Sequence, residues 1–387
     1  MPNGKVVVVG GALQPGSDAV WQRIVDEAGG AGVPIAVFPT AAYEPERISA
    51  QIVAALSRCG ARPDVVPLAP HLDGVDVQAS LNDPALIARV AGSRAVFFSG
   101  GAQEYIVDTL QPGGASTAML DAVRAVHAAG GVVAGTSAGA AVMSEWMFRD
   151  AMDTLAVLRG RWRAGQEYDR GLGLLPAGVL VDQHFLKRGR IGRLLPALQA
   201  LGCRWGVGVD ENAAVVWDGM AFEVIGGSGA VLVDLAEAQR DPALPAFNLR
   251  GVRLTYLGAG DRHDLSTGIT TPAAHKRQRR ERAPGRRMPV PEGRYFMDIL
   301  ADGGLLAALT QLLDAGAGEV RGLAYQAPAD LREPQAEVGF EFRLTRGEAL
   351  RAWMTPGQGL HEGTLCDARL DVVPVRVAHP LFTPLGA

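Results

Sequence analysis

Cysteine is scarce in this chain of 387 residues. The three cysteines, Cys59, Cys203 and Cys366, are far apart and odd in number, and neither a CxxC pair nor a Cys/His ligand spacing occurs. A disulfide framework and a zinc site are therefore not expected. We interpret the cysteines as reduced residues that pack as small hydrophobes.

Long hydrophobic runs are also lacking. No stretch approaches the ~20 apolar residues that a membrane-spanning helix needs. The N-terminus has no basic segment followed by a hydrophobic one, so we predict a cytoplasmic protein. The net charge is only −4 at pH 7, which gives no overall attraction to nucleic acid or to anionic membranes.

Apolar residues are abundant, at 48% of the chain. Short β-branched runs alternate with segments of helical spacing through roughly the first two thirds, a pattern typical of βαβ units. We predict an α/β fold with a doubly wound, mostly parallel sheet and helices on both faces. Ligands bind such sheets at the carboxyl ends of the strands. The strands predicted for this sheet are 6–9, 35–38, 65–67, 95–98, 132–134 and 179–182.

The pattern changes after Asp210. Segments 213–217 and 222–225 flank Asp218-Gly219, a strong hairpin signal, and 231–235 is a further strand candidate. Together they predict an antiparallel edge on the parallel sheet. We divide the chain into a catalytic domain, 1–244, and an α+β C-terminal extension, 245–387, with a helix near 296–313.

The extension contains a Pro/Arg-rich loop at about 272–291. Its basic run, 276–287, has two interpretations: a solvated, mobile linker, or a loop that contacts an anion or a polymer. The first is the more common use of such a run.

A candidate nucleophile, Ser137, lies in Gly135-Thr136-Ser137-Ala138-Gly139, between an apolar strand and a helix. A sharp strand-to-helix turn with small neighbours lifts the hydroxyl above the sheet, so the motif predicts a nucleophile elbow. The Ala138 N–H is a natural oxyanion donor. The alternative is a tight structural turn. A second donor is expected from the glycine pair that ends at Gly101, where backbone can approach a reacting carbonyl closely.

A serine nucleophile needs a base. Of the seven histidines, only His184 directly follows a strand, at the sheet edge predicted for Ser137. The strand 206–209 ends in Asp210 and Glu211, and one of these acids is expected to orient the imidazole. The residues alone do not choose between them, because neighbouring side chains of a strand point in opposite directions.

A basic segment follows the candidate base. We predict a helix over 186–201 that carries Lys187, Arg188, Arg190 and Arg193. It is interpreted either as a solvated basic face or as a clamp for substrate carboxylates.

Four motifs together resemble a known family. Ser-Gly-Gly-x-Gln at 99–103, Gly-Thr-Ser-Ala-Gly-Ala at 135–140, Asp-Gln-His-Phe-x-x-Arg-x-Arg-x-Gly-Arg at 182–193 and Gly-x-Gly-x-Asp-Glu at 206–211 are similar to those of the cyanophycinases, in the peptidase E (S51) family. The resemblance runs from about residue 5 to 235.

The resemblance implies a fold akin to class I glutamine amidotransferases and a Ser–His–Glu triad at Ser137, His184 and Glu211. It thereby selects Glu211 over Asp210. It implies an exo-acting serine peptidase that cuts the polyaspartate backbone of cyanophycin and releases β-Asp-Arg dipeptides, without a metal or organic cofactor. Substrate-binding roles are implied for Gln103, Asp182, Gln183, Arg190 and Arg193. It also suggests a homo-oligomer, a dimer or larger.

The chain departs from the family pattern at three places. Ala102 replaces a residue that is often polar, the segment between Ser137 and His184 looks expanded, and the tail beyond about 245 exceeds the family core. The alternative function is a peptidase E-like hydrolase of small aspartyl or isoaspartyl peptides.

Overall fold

The structure is a computed structural model and describes residues 4–14, 16–279, 295–314, 318–326 and 337–378. The helices in this part of the chain are α1 (Asp18–Glu27), α2 (Pro45–Arg58), α3 (Val77–Leu81), α4 (Pro84–Ala91), α5 (Gln103–Leu110), α6 (Ala118–Ala128), α7 (Ala138–Ala141), α8 (Thr154–Leu158), α9 (Ile191–Leu201) and α10 (Gly304–Asp314). Short 3₁₀ turns occur at Pro112–Gly114 and Leu360–Glu362.

The strands alternate with these helices in the first part of the chain and follow one another in the second. In chain order they are β1 (Lys5–Val9), β2 (Pro34–Phe38), β3 (Arg62–Val65), β4 (Ala95–Phe98), β5 (Val132–Thr136), β6 (Trp146–Phe148), β7 (Tyr168–Arg170), β8 (Val179–Asp182), β9 (Trp205–Val209), β10 (Ala213–Asp218), β11 (Ala221–Gly226), β12 (Ala230–Asp234), β13 (Leu249–Leu257), β14 (Arg262–Asp264), β15 (Ile269–Thr271), β16 (Arg277–Gln278), β17 (Tyr295–Phe296), β18 (Glu319–Ala324), β19 (Val338–Met354) and β20 (Thr364–Arg376).

The first sheet has the order β15-β14-β11-β10-β1-β5-β4-β2-β3. Its half from β1 to β3 is parallel throughout, and its other half is antiparallel. The predicted hairpin is confirmed, since β10 pairs with β11 in the register Asp218↔Ala221. The mixed α/β class is thereby confirmed.

Helices cover both faces of the parallel half. Val6 and Val8 of β1 pack into one apolar cluster, together with residues of α4 and α6. Val7 and Val9 pack into another, together with residues of α1 and α2. Successive side chains of a strand point to opposite faces, so this alternation is what a sheet buried on both sides requires.

A second sheet was not predicted. It has the order β17-β18-β19-β20-β13-β12-β9-β8, and β16 pairs with β19. The prediction that 179–182 belongs to the parallel sheet is wrong, because β8 pairs with β9 in this second sheet. The strand 231–235 is likewise not on the edge of the first sheet, because β12 pairs with β9 and β13. The edge of β1 is occupied by β10 instead.

The second sheet crosses the predicted boundary at 244/245. One hydrophobic cluster contains Leu180 and Val231 on one side of it and Leu309, Phe342 and Leu370 on the other. The division into two domains stays a prediction, but this sheet and its core draw on both segments.

The beginning of the basic run is ordered and partly buried. Lys276 is fully buried, with its Nζ 2.7 Å from Asp261 Oδ1, and β16 pairs with the end of β19. The prediction of a solvated linker is therefore wrong for Lys276, because its ammonium is buried and paired with Asp261. The rest of the predicted loop, from 280 onwards, lies outside the described residues.

Two helices begin later than predicted. The helix predicted for 186–201 begins at Ile191, because Gly189 has a φ of +55° and interrupts the turn before it. The helix predicted near 296–313 begins at Gly304, and Tyr295–Phe296 is a strand. Within the described ranges, no helix is long and apolar enough to cross a membrane.

Candidate active site

Ser137 lies at the junction of β5 and α7. Its backbone has a φ of +52°, and its N–H donates to Val9 O of the neighbouring strand. The flanking glycines are required by packing: a Cβ on Gly135 would lie 2.3 Å from Gly139 O, and one on Gly139 would lie 2.4 Å from Phe98 O. A positive φ costs a non-glycine residue energy, so the fold holds this serine in a strained position.

His184 approaches the serine from the end of β8. It too has a positive φ, +46°, and its N–H donates to Gly10 O at 2.6 Å. The imidazole packs against Gly11, where a Cβ would lie 2.3 Å from Nε2. Only a glycine at position 11 therefore leaves room for the ring.

A continuous chain of hydrogen bonds joins three predicted site residues. Ser137 Oγ is 2.9 Å from His184 Nε2, and His184 Nδ1 is 2.6 Å from Glu211 Oε1. The imidazole is buried, and this burial lowers the pKa of His184, while the bond to Glu211 acts in the opposite direction. A neutral imidazole with its proton on Nδ1 directs the lone pair of Nε2 towards the serine.

Asp210, the other candidate acid, turns away from the imidazole. Its Oδ1 accepts hydrogen bonds from the N–H groups of Leu186 and Lys187, both at 3.1 Å. Burial raises the pKa of this carboxyl. Asp210 thus holds the turn that follows His184, whereas Glu211 contacts the ring itself.

The two predicted oxyanion donors, the amides of Gly101 and Ala138, belong to turns next to Ser137, since a Cβ on Gly100 would lie 3.3 Å from Ser137 Cβ. Gly101 has a φ of +140°, and a Cβ there would lie 1.8 Å from Ala41 O. The next amide, that of Ala102, donates to the same Ala41 O and fixes the turn. Ala138 is the first residue of α7. Among the hydrogen bonds of the described residues, neither the Gly101 N–H nor the Ala138 N–H donates to a protein acceptor.

Asp182, Arg190 and Arg193 form a buried ionic cluster beside His184. Asp182 accepts two hydrogen bonds from Arg193, at 2.8 and 2.5 Å, and one from Arg190 Nη1, at 3.3 Å. The side chains of Asp182 and Arg193 are only 1% and 2% exposed. Arg193 also donates to Ala151 O and lies over the Phe148 ring.

These contacts differ from the substrate contacts that were predicted for Asp182 and Arg193. Both groups are enclosed, and each bonds the other, because a buried charge must be paired within the protein. Arg190 is likewise buried; it donates to Gln183 O at 2.7 Å. Its burial lowers its pKa.

The two predicted amide side chains are placed differently. Gln183 is buried, with Oε1 3.5 Å from Ser137 Oγ, so its side chain reaches the serine. Gln103 Nε2 donates to Phe148 O and Arg149 O, at 3.0 and 2.5 Å, and so ties α5 to the end of β6.

The C-terminal segment supports the turn that follows His184, a contact that was not predicted. Gly303 N–H donates to Leu186 O at 3.1 Å, and Lys187 pairs with Asp302. A Cβ on Gly189 would lie 2.0 Å from Leu300 O. A glycine at position 189 indicated a close approach of the backbone. The sequence near it did not indicate that the partner is Leu300, more than 100 residues away.

The serine, histidine and glutamate are thus joined by hydrogen bonds, and comparison with known proteins gives the class of the protein. The model of peptidase family S51 matches residues 6–225. The chain therefore belongs to peptidase family S51 and is a serine-type peptidase.

Curated relatives support this membership. The chain is 31% identical over 271 residues to a cyanophycinase of Geminocystis herdmanii (strain PCC 6308), which covers 68% of this chain and 94% of that protein. It is 29% identical over 286 residues to a cyanophycinase of Trichormus variabilis (strain ATCC 29413 / PCC 7937), which covers 70% of this chain and 89% of that one.

A solved structure shares the fold. The crystal structure of a peptidase from an acI-B1 Actinobacterium superposes with a TM-score of 0.50 and 20% sequence identity. The superposition covers 68% of this chain and 98% of that one.

Proposed function

We propose that this chain is a cyanophycin hydrolase, a serine exopeptidase that cuts the polyaspartate backbone and releases β-Asp-Arg dipeptides. The observation that carries the mechanism is the chain of hydrogen bonds from Ser137 through His184 to Glu211. The substrate comes from the relatives, which are cyanophycinases matched over most of their length.

Ser137 acts as the nucleophile at a turn that we interpret as a nucleophile elbow, on a fold akin to class I glutamine amidotransferases. As its Oγ bonds to the carbonyl carbon, His184 Nε2 takes the hydroxyl proton. Glu211 accepts the Nδ1 proton in a hydrogen bond and stabilises the imidazolium that forms. The amides of Gly101 and Ala138 are the donors for the oxyanion.

The intermediate then collapses as the C–N bond breaks. The imidazolium gives its proton to the leaving amine, and an acyl ester remains on Ser137. A water molecule attacks this ester; His184 takes its proton and returns it to Ser137 Oγ, which releases the carboxylic acid. No metal or organic cofactor enters these steps.

The substrate contacts are assigned according to burial. Gln183, beside the serine hydroxyl, is the group we place nearest the scissile bond. Asp182 and Arg193 position the turn that carries His184, because their charges are paired inside the protein. We assign Arg190 both a positioning and a substrate-binding role. It donates to Gln183 O, and its Nη2 lies near the sulfur of the exposed Met152.

Incubation of the purified protein with insoluble cyanophycin tests the proposal. We expect soluble β-Asp-Arg, detected by mass spectrometry. Ser137→Ala is expected to lower turnover by about 10⁶-fold, to background, because the nucleophile is lost. Its circular dichroism spectrum should match that of the wild type.

Two outcomes would contradict the proposal. Equal release by Ser137→Ala would remove the serine from its role. Cleavage of isoaspartyl dipeptides without release from the polymer would favour a peptidase E-like hydrolase instead.

A further inference from the structure

Three aromatic rings form a cluster on the surface near Ser137. The ring centroids of His71 and Tyr105 are 5.1 Å apart, and Tyr43 lies 5.9 Å from His71 and 6.0 Å from Tyr105. Tyr43 is 64% exposed, and His71 is exposed as well. Several aromatic rings exposed side by side are typical of a contact surface.

The cluster lies on the same edge of the first sheet as the serine. Tyr43 follows β2, His71 follows β3, and Tyr105 lies in the first turn of α5, after β4. These strands are parallel to β5, so their carboxyl ends meet at the edge where Ser137 is found.

The Gly100-Gly101 turn connects the cluster to the serine. A Cβ on Gly100 would lie 3.3 Å from Ser137 Cβ, and one on Gly101 would lie 3.1 Å from Ala42 Cα. Tyr43 is the next residue along the chain. The segment that carries Tyr43 therefore lies close to Ser137.

A carboxylate adds negative charge to the cluster. Glu104 precedes Tyr105 in the first turn of α5, and its charge, after the effect of burial, raises the pKa of Tyr43. Among the described residues, Arg149 also interacts with Glu104, but its guanidinium is bonded to Asp108 and Asp169, and Arg47 is paired with Glu44.

We propose that Tyr43, His71, Tyr105 and Glu104 form a subsite for a guanidinium side chain of the substrate. A guanidinium is planar and weakly hydrated, so it stacks on aromatic faces and pairs with a carboxylate. The inference rests on the proposed function, because that polymer carries one guanidinium per repeat. The subsite would bind a repeat next to the scissile bond.

Kinetics on a matched pair of soluble peptides tests the subsite. One peptide has three β-Asp-Arg repeats, and the other has citrulline in place of arginine, which removes the charge and keeps the shape. Tyr43→Leu and Glu104→Gln are each expected to raise KM for the arginine peptide about 3- to 10-fold, with kcat unchanged. Tyr43→Phe is the control: it keeps the aromatic face and should behave as the wild type.

The citrulline peptide separates charge recognition from general packing. For the wild type, the KM of the citrulline peptide should be higher than that of the arginine peptide. Neither Tyr43→Leu nor Glu104→Gln should change the KM of the citrulline peptide. Unchanged kinetics of both variants on the arginine peptide would overturn the subsite, as would equal losses on both peptides. If the wild-type enzyme cleaved neither peptide, the proposed function would be contradicted instead.

Discussion

Ser137 and His184 reach the same point from two differently built sheets. Ser137 follows β5, which lies between β1 and β4 in the parallel half of the first sheet. His184 follows β8, in a sheet that is completed by strands beyond residue 245. The glycines that shape the turn at Ser137 lie within two residues of it, whereas the turn after His184 contacts Leu300 and Gly303, more than 100 residues further along the chain.

The surroundings of His184 and of Gly101 also differ in whether their charged groups are buried. Beside His184, Asp182 and Arg193 are enclosed and paired. Beside Gly101, the aromatic cluster and Glu104 remain accessible to solvent. Buried ionic pairs fix geometry, since breaking one leaves an uncompensated charge, while accessible groups remain available to a ligand. We infer that the buried ionic pair beside His184 is specialised for positioning and the accessible cluster beside Gly101 for recognition.

The largest expected effect separates the two adjacent acids. Glu211→Gln should lower kcat by about 10⁴-fold, because the amide cannot stabilise the imidazolium as a carboxylate does. Asp210→Asn should have a much smaller effect, since its oxygen can still accept from the Leu186 and Lys187 amides. Steady-state kinetics on β-Asp-Arg peptide checks this pair, and the reverse order would make Asp210 the orienting acid.

A smaller effect tests whether the C-terminal segment holds the histidine side. Gly189→Ala should lower kcat about 10²-fold, because the new Cβ would collide with Leu300 O and displace the turn after His184. Gly202→Ala is the matched control. Gly202 also has a positive φ, +66°, but a Cβ there would have no atom of the described residues within 4 Å.

Both alanine variants should lose stability by about 1 to 2 kcal/mol from backbone strain, measured by chemical denaturation. Only Gly189→Ala should lose turnover in the folded state. If the two variants have the same kcat, the C-terminal contact has no part in positioning His184.

Local signals in the sequence predicted where several of the candidate site residues lie. Gly135 and Gly139 around Ser137 predicted the strand-to-helix turn. The position of His184 directly after a strand predicted that it lies at the carboxyl end of that strand. The choice between Asp210 and Glu211 needed the family resemblance, since alternation along a strand says only that they diverge.

Long-range pairing could not be predicted in the same way. The sequence predicted β8 in the parallel sheet, because a short apolar strand carries no mark of the sheet it joins. The partners of β13 include β20, more than 100 residues away. The pairing of Arg193 with Asp182 is likewise visible only in the packing.

The smallest expected effect concerns the acid limb of the pH profile. His184 must be neutral to accept the serine proton, so kcat/KM should fall as pH decreases through the pKa of His184. Burial lowers this pKa below the ordinary 6.5, and the positive charges of Arg188 and Arg190 lower it further. Arg188 is exposed, so its charge can be removed without disturbing the core.

Arg188→Gln should therefore raise the pKa of His184 and move the acid limb towards higher pH, with the plateau rate unchanged. Arg188→Lys keeps the charge and should leave the limb in place. Because the charge is exposed, the difference between the two variants should shrink as ionic strength rises. A limb that moves equally in both variants would mean that Arg188 acts through its shape, and the electrostatic coupling of this turn to His184 would be refuted.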